Sequence, residues 1–103
     1  MEIIDFKGKI KEFLETLDPR TSADCADTIA MLESYGHHLR MPFSKKIVDR
    51  IFELRINRKV NVRIFYIFHN GTAILLHGFV KKSHGIPSQE IRTGLARLRH
   101  VGV

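Results

Sequence analysis

Two apolar runs joined by a tight turn constrain the fold more than any other feature of this sequence. Residues 62–68 read VRIFYIF and residues 72–80 read TAILLHGFV, and both runs are rich in the β-branched and aromatic side chains typical of strands. The residues between them read HNG, and an Asn-Gly pair is a strong hairpin signal. The sequence therefore predicts an antiparallel β-hairpin over residues 62–80.

The register of this hairpin stays open, because its turn can hold two residues or three. A two-residue turn, Asn70–Gly71, places Arg63 opposite Gly78 and on the other sheet face from His77. A three-residue turn, 69–71, places Arg63 directly across from His77. The choice decides whether these two polar side chains share a face of the sheet.

Two amphipathic helices are predicted upstream of the hairpin. Residues 9–17 place apolar side chains at i, i+3, i+4 and i+7, and Pro19 is expected to end this helix. A second helix is predicted to begin at a cap formed by Thr21 or Ser22 and to end at Gly36.

The remaining segments give weaker signals. Residues 1–6 fit a short strand, whereas residues 45–55 fit either a helix or a strand. Pro87 is well placed to begin a last helix. Ile86 cannot cap that helix, and Gly94 in its interior is expected to weaken it by about 1 kcal/mol.

This order of elements predicts an α+β fold in a single domain, residues 1–103. Two N-terminal helices pack on one face of a small, mostly antiparallel sheet, and a short C-terminal helix follows. The other face of the sheet is expected to stay free for function.

Charge is divided unevenly between the two halves of the chain. The formal net charge is +6, but residues 1–54 hold eight bases and ten acids, a net of −2. Residues 55–103 hold nine bases and one acid, Glu90, a net of +8. Because unpaired bases repel one another, this half is expected to bind a polyanion, and nucleic acid is the favoured partner.

Several other classes of protein are disfavoured. No apolar run is long enough to span a membrane, and residues 1–11 lack the apolar core of a signal peptide, so a cytoplasmic location is expected. Cys25, the only cysteine, is interpreted as a buried apolar residue rather than a nucleophile. No phosphate-binding glycine loop, paired-cysteine motif or cluster of carboxylates appears in the basic half, and no metal or cofactor is predicted.

The basic half can nevertheless supply chemistry. Arginine and lysine stabilise the charge of a phosphoryl transition state, and lysine or histidine can move protons, so RNA could be cut through its own 2′-hydroxyl. An alternative for Arg63 is a structural pair with Glu53, and a histidine in an apolar strand such as His77 is more often structural than catalytic. The candidate side chains are Arg55, Arg58, Lys59, Arg63, His77, Lys81, Lys82 and His84.

The combined spacing of several short motifs resembles the phage-derived, HigB-like branch of the RelE/ParE toxin superfamily. The motifs are ELR at 53–55, VRIFY at 62–66, LHGFVKKS at 76–83, and Pro87 followed by Glu90–Ile91, with matching segments at 36–40 and 42–45. The resemblance implies a RelE-like fold and the toxin of a type II toxin–antitoxin pair.

By the same resemblance, the toxin is a ribosome-dependent mRNA endoribonuclease that needs no metal. Its expected partners are a helix-turn-helix antitoxin, the ribosome and mRNA, with no membrane. The residues assigned to catalysis are Arg55, Arg63, Lys81, Lys82 and His77. The residues assigned to RNA binding are Arg58, Lys59, Phe79, His84 and Arg92.

Two alternatives remain at this point. A ParE-like protein shares the fold but inhibits DNA gyrase. A catalytically inactive relative would only bind the antitoxin or RNA.

Overall fold

The computed structural model describes all 103 residues, Met1–Val103, and contains one five-stranded sheet. The strands are β1 (Glu2–Asp5), β2 (Ser44–Val48), β3 (Ile51–Asn57), β4 (Asn61–His69) and β5 (Thr72–Val80). The helices are α1 (Lys9–Glu15), α2 (Pro19–Tyr35) and α3 (Ser88–Val101), with short 3₁₀ turns at Phe6–Gly8 and Gly36–His38.

The sheet has the strand order β1-β5-β4-β3-β2. Strands β2 to β5 form an antiparallel meander, and β1 pairs in parallel with β5. The ambiguous segment 45–55 resolves into two strands, because the chain reverses at Asp49, which adopts a left-handed φ of 52°. The predicted α+β class is confirmed.

The start of α2 differs from the prediction. The carboxylate of Asp18 accepts hydrogen bonds from the backbone N–H of Thr21 (3.2 Å) and from its hydroxyl (2.6 Å), and these bonds lower the pKa of Asp18. Since Asp18 is the cap, Thr21 already lies inside the helix. Pro19 is the first residue of α2 rather than the stop of α1, a position where a missing N–H costs nothing.

Helices cover both faces of the sheet. On one face, α1 and α2 pack Ile10, Cys25 and Leu32 into a buried cluster with strand residues. On the opposite face, α3 packs Leu98 against Phe65 and its neighbours. The expectation of a wholly free second face was therefore wrong, because the apolar stripe of α3 must be buried against something.

Neither predicted hairpin register is correct. The turn holds two residues, Asn70 and Gly71, and His69 pairs with Thr72. A β-bulge then adds one residue to β5 between the pairs Tyr66–Leu75 and Phe65–His77, so Arg63 lies opposite Phe79. The bulge places Arg63 and His77 on the same face, with His77 two residues along β5 from Phe79, the partner of Arg63.

None of the three helices has both the length and the hydropathy of a membrane-spanning helix.

Candidate nucleic-acid interface

A row of cationic side chains crosses strands β3, β4 and β5 at one end of the sheet. Arg55 of β3 pairs with Arg63 of β4, and Arg63 pairs with Phe79 of β5. The backbone N–H of Lys81 donates to the carbonyl of Asn61 (2.8 Å), two residues beyond the pair of Arg63 and Phe79. Because side chains alternate between faces, Arg55, Arg63 and Lys81 share one face, and we call them the cationic row.

Arg63 is fixed in the middle of this row and is only 3% exposed. Its Nη1 donates to Asn57 Oδ1 (2.8 Å) and to the carbonyl of Val62 (3.0 Å). Its Nε lies 3.2 Å from Glu53 Oε1, although neither atom makes an aligned hydrogen bond. Burial and the nearby charge of Arg55 lower the pKa of Arg63. Arg63 is therefore held as a buried charge that cannot reach a large ligand directly.

Arg55 is the member of the row with room to bind. Its side chain is 22% exposed, and its Nη1 lies 3.9 Å from Glu53 Oε2, at the limit of an ion pair. Its Nε is buried and has no hydrogen-bond partner. The part of the guanidinium that remains exposed is suited to phosphate oxygens.

Glu53 is the residue that holds the two arginines together. Its carboxylate is buried between Arg63 on one side and Arg55 on the other. Sequence reasoning named Glu53 only as an alternative partner for Arg63. The sequence signal for this contact is the Glu-Leu-Arg spacing, because residues two positions apart on a strand lie on the same face.

The other predicted cations lie around the end of the row. Arg58 and Lys59 are exposed in the turn between β3 and β4. Lys81 is half-buried and its Nζ donates to the carbonyl of Ser83 (2.6 Å), whereas Lys82 and His84 are exposed in the segment after β5. We call Arg55, Arg58, Lys59, Lys81 and Lys82 the basic end.

His77 belongs to the connection between β5 and α3. Arg97 Nη1 lies 3.3 Å from His77 Nδ1, and an arginine can only donate, so Nδ1 accepts and Nε2 carries the proton. Nε2 then donates to Glu90 Oε1 (2.8 Å). Arg97 also donates to the carbonyl of Leu76 (2.9 Å). The sequence did not indicate these two partners, which occupy both nitrogens of His77.

Two predicted RNA contacts are placed differently from the rest. The ring of Phe79 is buried, stacked on His77 (5.6 Å between ring centres) and edge-on to Phe65 (5.3 Å), so it offers no face to a nucleobase. Arg92 is exposed on α3, where it donates to Gln89 Oε1 (3.0 Å). Arg92 is therefore outside the row formed by the strands.

Comparison with known protein families gives evidence that is independent of this geometry. Residues 12–99 match the family model described as phage-derived protein Gp49-like, which covers most of the chain. The chain belongs to this family. No curated protein sequence is significantly similar to it.

The Gp49-like family is associated with the toxins of toxin–antitoxin systems. Membership of this family supports a toxin role for this Gp49-like protein and implies an antitoxin as its partner. The matched region contains the whole cationic row and Glu53. No group of three or more His, Cys, Asp or Glu side chains is arranged to hold a metal ion.

Proposed function

We propose that this protein cleaves mRNA in the ribosomal A site as the toxin of a type II toxin–antitoxin pair. The observation that carries the proposal is the cationic row, in which the neighbouring carboxylate, Glu53, is already engaged by Arg55 and Arg63. With that negative charge neutralised, the exposed cations of the basic end are available to a phosphodiester backbone.

In the proposed reaction, the 2′-oxygen of the RNA attacks the adjacent phosphorus and the bond from phosphorus to the 5′-oxygen breaks. The products are a 2′,3′-cyclic phosphate and a 5′-hydroxyl. The 2′-hydroxyl loses its proton to solvent water, and the Nζ of Lys81 gives a proton to the departing 5′-oxygen before solvent reprotonates it. Arg55 stabilises the charge that builds up on the non-bridging oxygens.

Arg63 acts in this scheme as a positioning residue. It is buried behind Arg55 and fixes Glu53, whose second oxygen faces the Arg55 guanidinium. Lys82 supplies a second mobile ammonium next to Lys81. His77, with both ring nitrogens occupied, supports α3 instead of transferring protons.

The partners follow from the same charges. A helix-turn-helix antitoxin is proposed to cover the basic end and neutralise it, and the ribosome is proposed to present the message, in the cytoplasm. The net charge of +8 on residues 55–103 supports both contacts, since each partner must offer negative charge.

Primer extension on a translated message tests the proposal. Purified protein is expected to produce discrete stops when ribosomes translate the message and none when they do not. Because ribosomes themselves need magnesium, metal dependence is tested by elemental analysis of the purified protein. If the message stays intact and supercoiling by gyrase is blocked, the ParE-like alternative is favoured. If the message stays intact and gyrase remains active, a non-catalytic binding protein is favoured.

A further inference from the structure

A notch opens at the edge of β3 next to the cationic row. The last backbone hydrogen bond across this edge runs from the N–H of Arg55 to the carbonyl of Phe43 (2.8 Å). Residues 56–58 continue past that point, whereas the neighbouring chain turns away at Pro42. The result is a cavity of about 320 Å³ between α2 and the sheet edge.

The notch combines three kinds of side chain. Its walls include Met31 of α2 and the ring of Phe43, which is 40% exposed. Arg55 and Arg58 line it on the side of the basic end. Asp27, an exposed residue of α2, also lines it and supplies carboxylate oxygens.

We propose that this notch binds one unstacked nucleobase of single-stranded RNA. The base stacks on Phe43, its flanking phosphates contact Arg55 and Arg58, and Asp27 accepts hydrogen bonds from N–H groups on the base edge. The proposal deepens the proposed function, because it gives the ribonuclease a specificity subsite beside the scissile phosphate. Proteins that bind single strands combine aromatic platforms with a cationic track in this way.

A peptide of the antitoxin is the competing occupant, and the charges favour RNA. An acidic peptide would satisfy the arginines but would bring its carboxylates close to Asp27. A nucleotide suits both the arginines and Asp27, because its phosphate is anionic while its base edge offers N–H donors to the carboxylate. The shared residue Arg55 also makes the notch continuous with the cationic row.

Asp27 gives the subsite a preference among bases. A carboxylate can accept from N1–H and the 2-amino group of guanine together, whereas uracil offers one N–H and no amino group. Guanine is therefore favoured over uracil in the notch, and Asp27→Asn should reduce that preference.

The experiment measures binding of a fluorescently labelled six-nucleotide RNA to the full-length protein. Phe43→Ala should weaken binding about tenfold, which lies within the range of base stacking on one aromatic side chain. Phe43→Tyr should bind as the native protein does. Met41→Ala is the matched control, since Met41 is two residues away and 56% exposed but does not line the notch. Circular dichroism melts check that each variant folds.

A second arm replaces one nucleotide at a time by an abasic ribose. If the base occupies the notch, one abasic position should weaken binding to the native protein and have no further effect on Phe43→Ala. Additive losses at every position would overturn the proposal. Cleavage patterns on translating ribosomes, read by primer extension, should lose the preference for guanine in Asp27→Asn.

The outcomes separate the two proposals. If the native protein cuts translated mRNA while Phe43→Ala changes neither RNA affinity nor the cleavage pattern, the nucleobase subsite is wrong and the ribonuclease stands. If Phe43→Ala keeps RNA affinity but escapes neutralisation by the antitoxin, the notch is a protein-docking site and the proposal is overturned. Failure of the native protein both to bind the RNA and to cut would overturn both.

Discussion

Gly94 of α3 lies so close to Phe65 of β4 that a Cβ atom on Gly94 would fall 2.8 Å from Phe65 Cδ2. The same atom would lie 3.5 Å from Ile51 Cδ1. A glycine that the sequence alone marks as a weak point of the last helix is thus the residue that lets this helix approach the sheet.

Gly94→Ala is expected to destabilise the protein, although alanine is the better helix former. Alanine would contribute about 1 kcal/mol of helix propensity. Forcing a methyl group into a packed contact costs about 1–3 kcal/mol, and the stiff ring of Phe65 has little freedom to yield. The measurement is the urea midpoint. Adding Phe65→Leu to Gly94→Ala should recover part of the loss, and a more stable single variant would contradict the packing argument.

Arg63→Met should lower stability sharply, because it leaves the carboxylate of Glu53 buried with only the distant Arg55. Breaking one side of a buried ion pair costs about 3–5 kcal/mol. Replacing both partners, with Glu53→Leu added, should restore much of the stability, since two apolar side chains leave no buried charge. Urea unfolding of the two variants compares them directly. A single variant as stable as the native protein would show that the pair has no structural role.

Arg55→Ala is expected to lower the rate of RNA cleavage while the protein stays folded. Removing one preorganised donor to a transition-state anion lowers the rate by about 10²–10³-fold. Because Glu53 keeps its nearer partner Arg63, at 3.2 Å against 3.9 Å for Arg55, the melting curve should stay nearly unchanged. Lys11→Ala is the matched loss of one charge, because Lys11 is exposed on α1, over the other sheet face. Growth arrest on induction and primer extension should fail for Arg55→Ala and persist for Lys11→Ala.

Binding of single-stranded RNA should fall steeply with salt. The basic end offers five cations, Arg55, Arg58, Lys59, Lys81 and Lys82. Five phosphate contacts on a single strand correspond to a slope of about −3.5 in a plot of log K against log salt concentration. Titrations between low and physiological salt give the slope. An RNA affinity that does not change with salt would mean that these cations are only hydrated surface charges and do not contact phosphates.

Cys25 should be inert in the folded protein. Burial, and then the neighbouring charge of Asp24, raise the pKa of its thiol to about 11. The raised pKa keeps the thiol protonated, so roughly one part in a thousand is thiolate at pH 8, and the side chain has no exposed surface. A thiol reagent that reports by absorbance should find no reactive group in native protein and one after unfolding in urea. Fast reaction of the native protein would contradict this placement.

Most of the helices and strands, and their order, could be read from local patterns in the chain. The hairpin, the helix of residues 9–17 and the last helix could be predicted because their apolar periods and turn residues are local. The division of charge was also readable, and it gave the candidates Arg55, Arg58, Lys59, Arg63, His77, Lys81, Lys82 and His84, whose roles stay predictions. Strand β2 was less accessible, since residues 45–55 fit two periodicities until the turn at Asp49 separates them.

Which side chains meet depends on the strand register and on packing between distant segments. The bulge in β5 falls in the run Ile74, Leu75 and Leu76, whose residues are all buried, so the alternation of apolar and polar residues that normally sets the register is missing there. One added residue moved Arg63 onto the same face as His77. The pair of Arg63 and Glu53 was only one of two alternatives until the register of β3 and β4 was known. The approach of α3 through Gly94 is a contact between distant segments that no local pattern in the chain encodes.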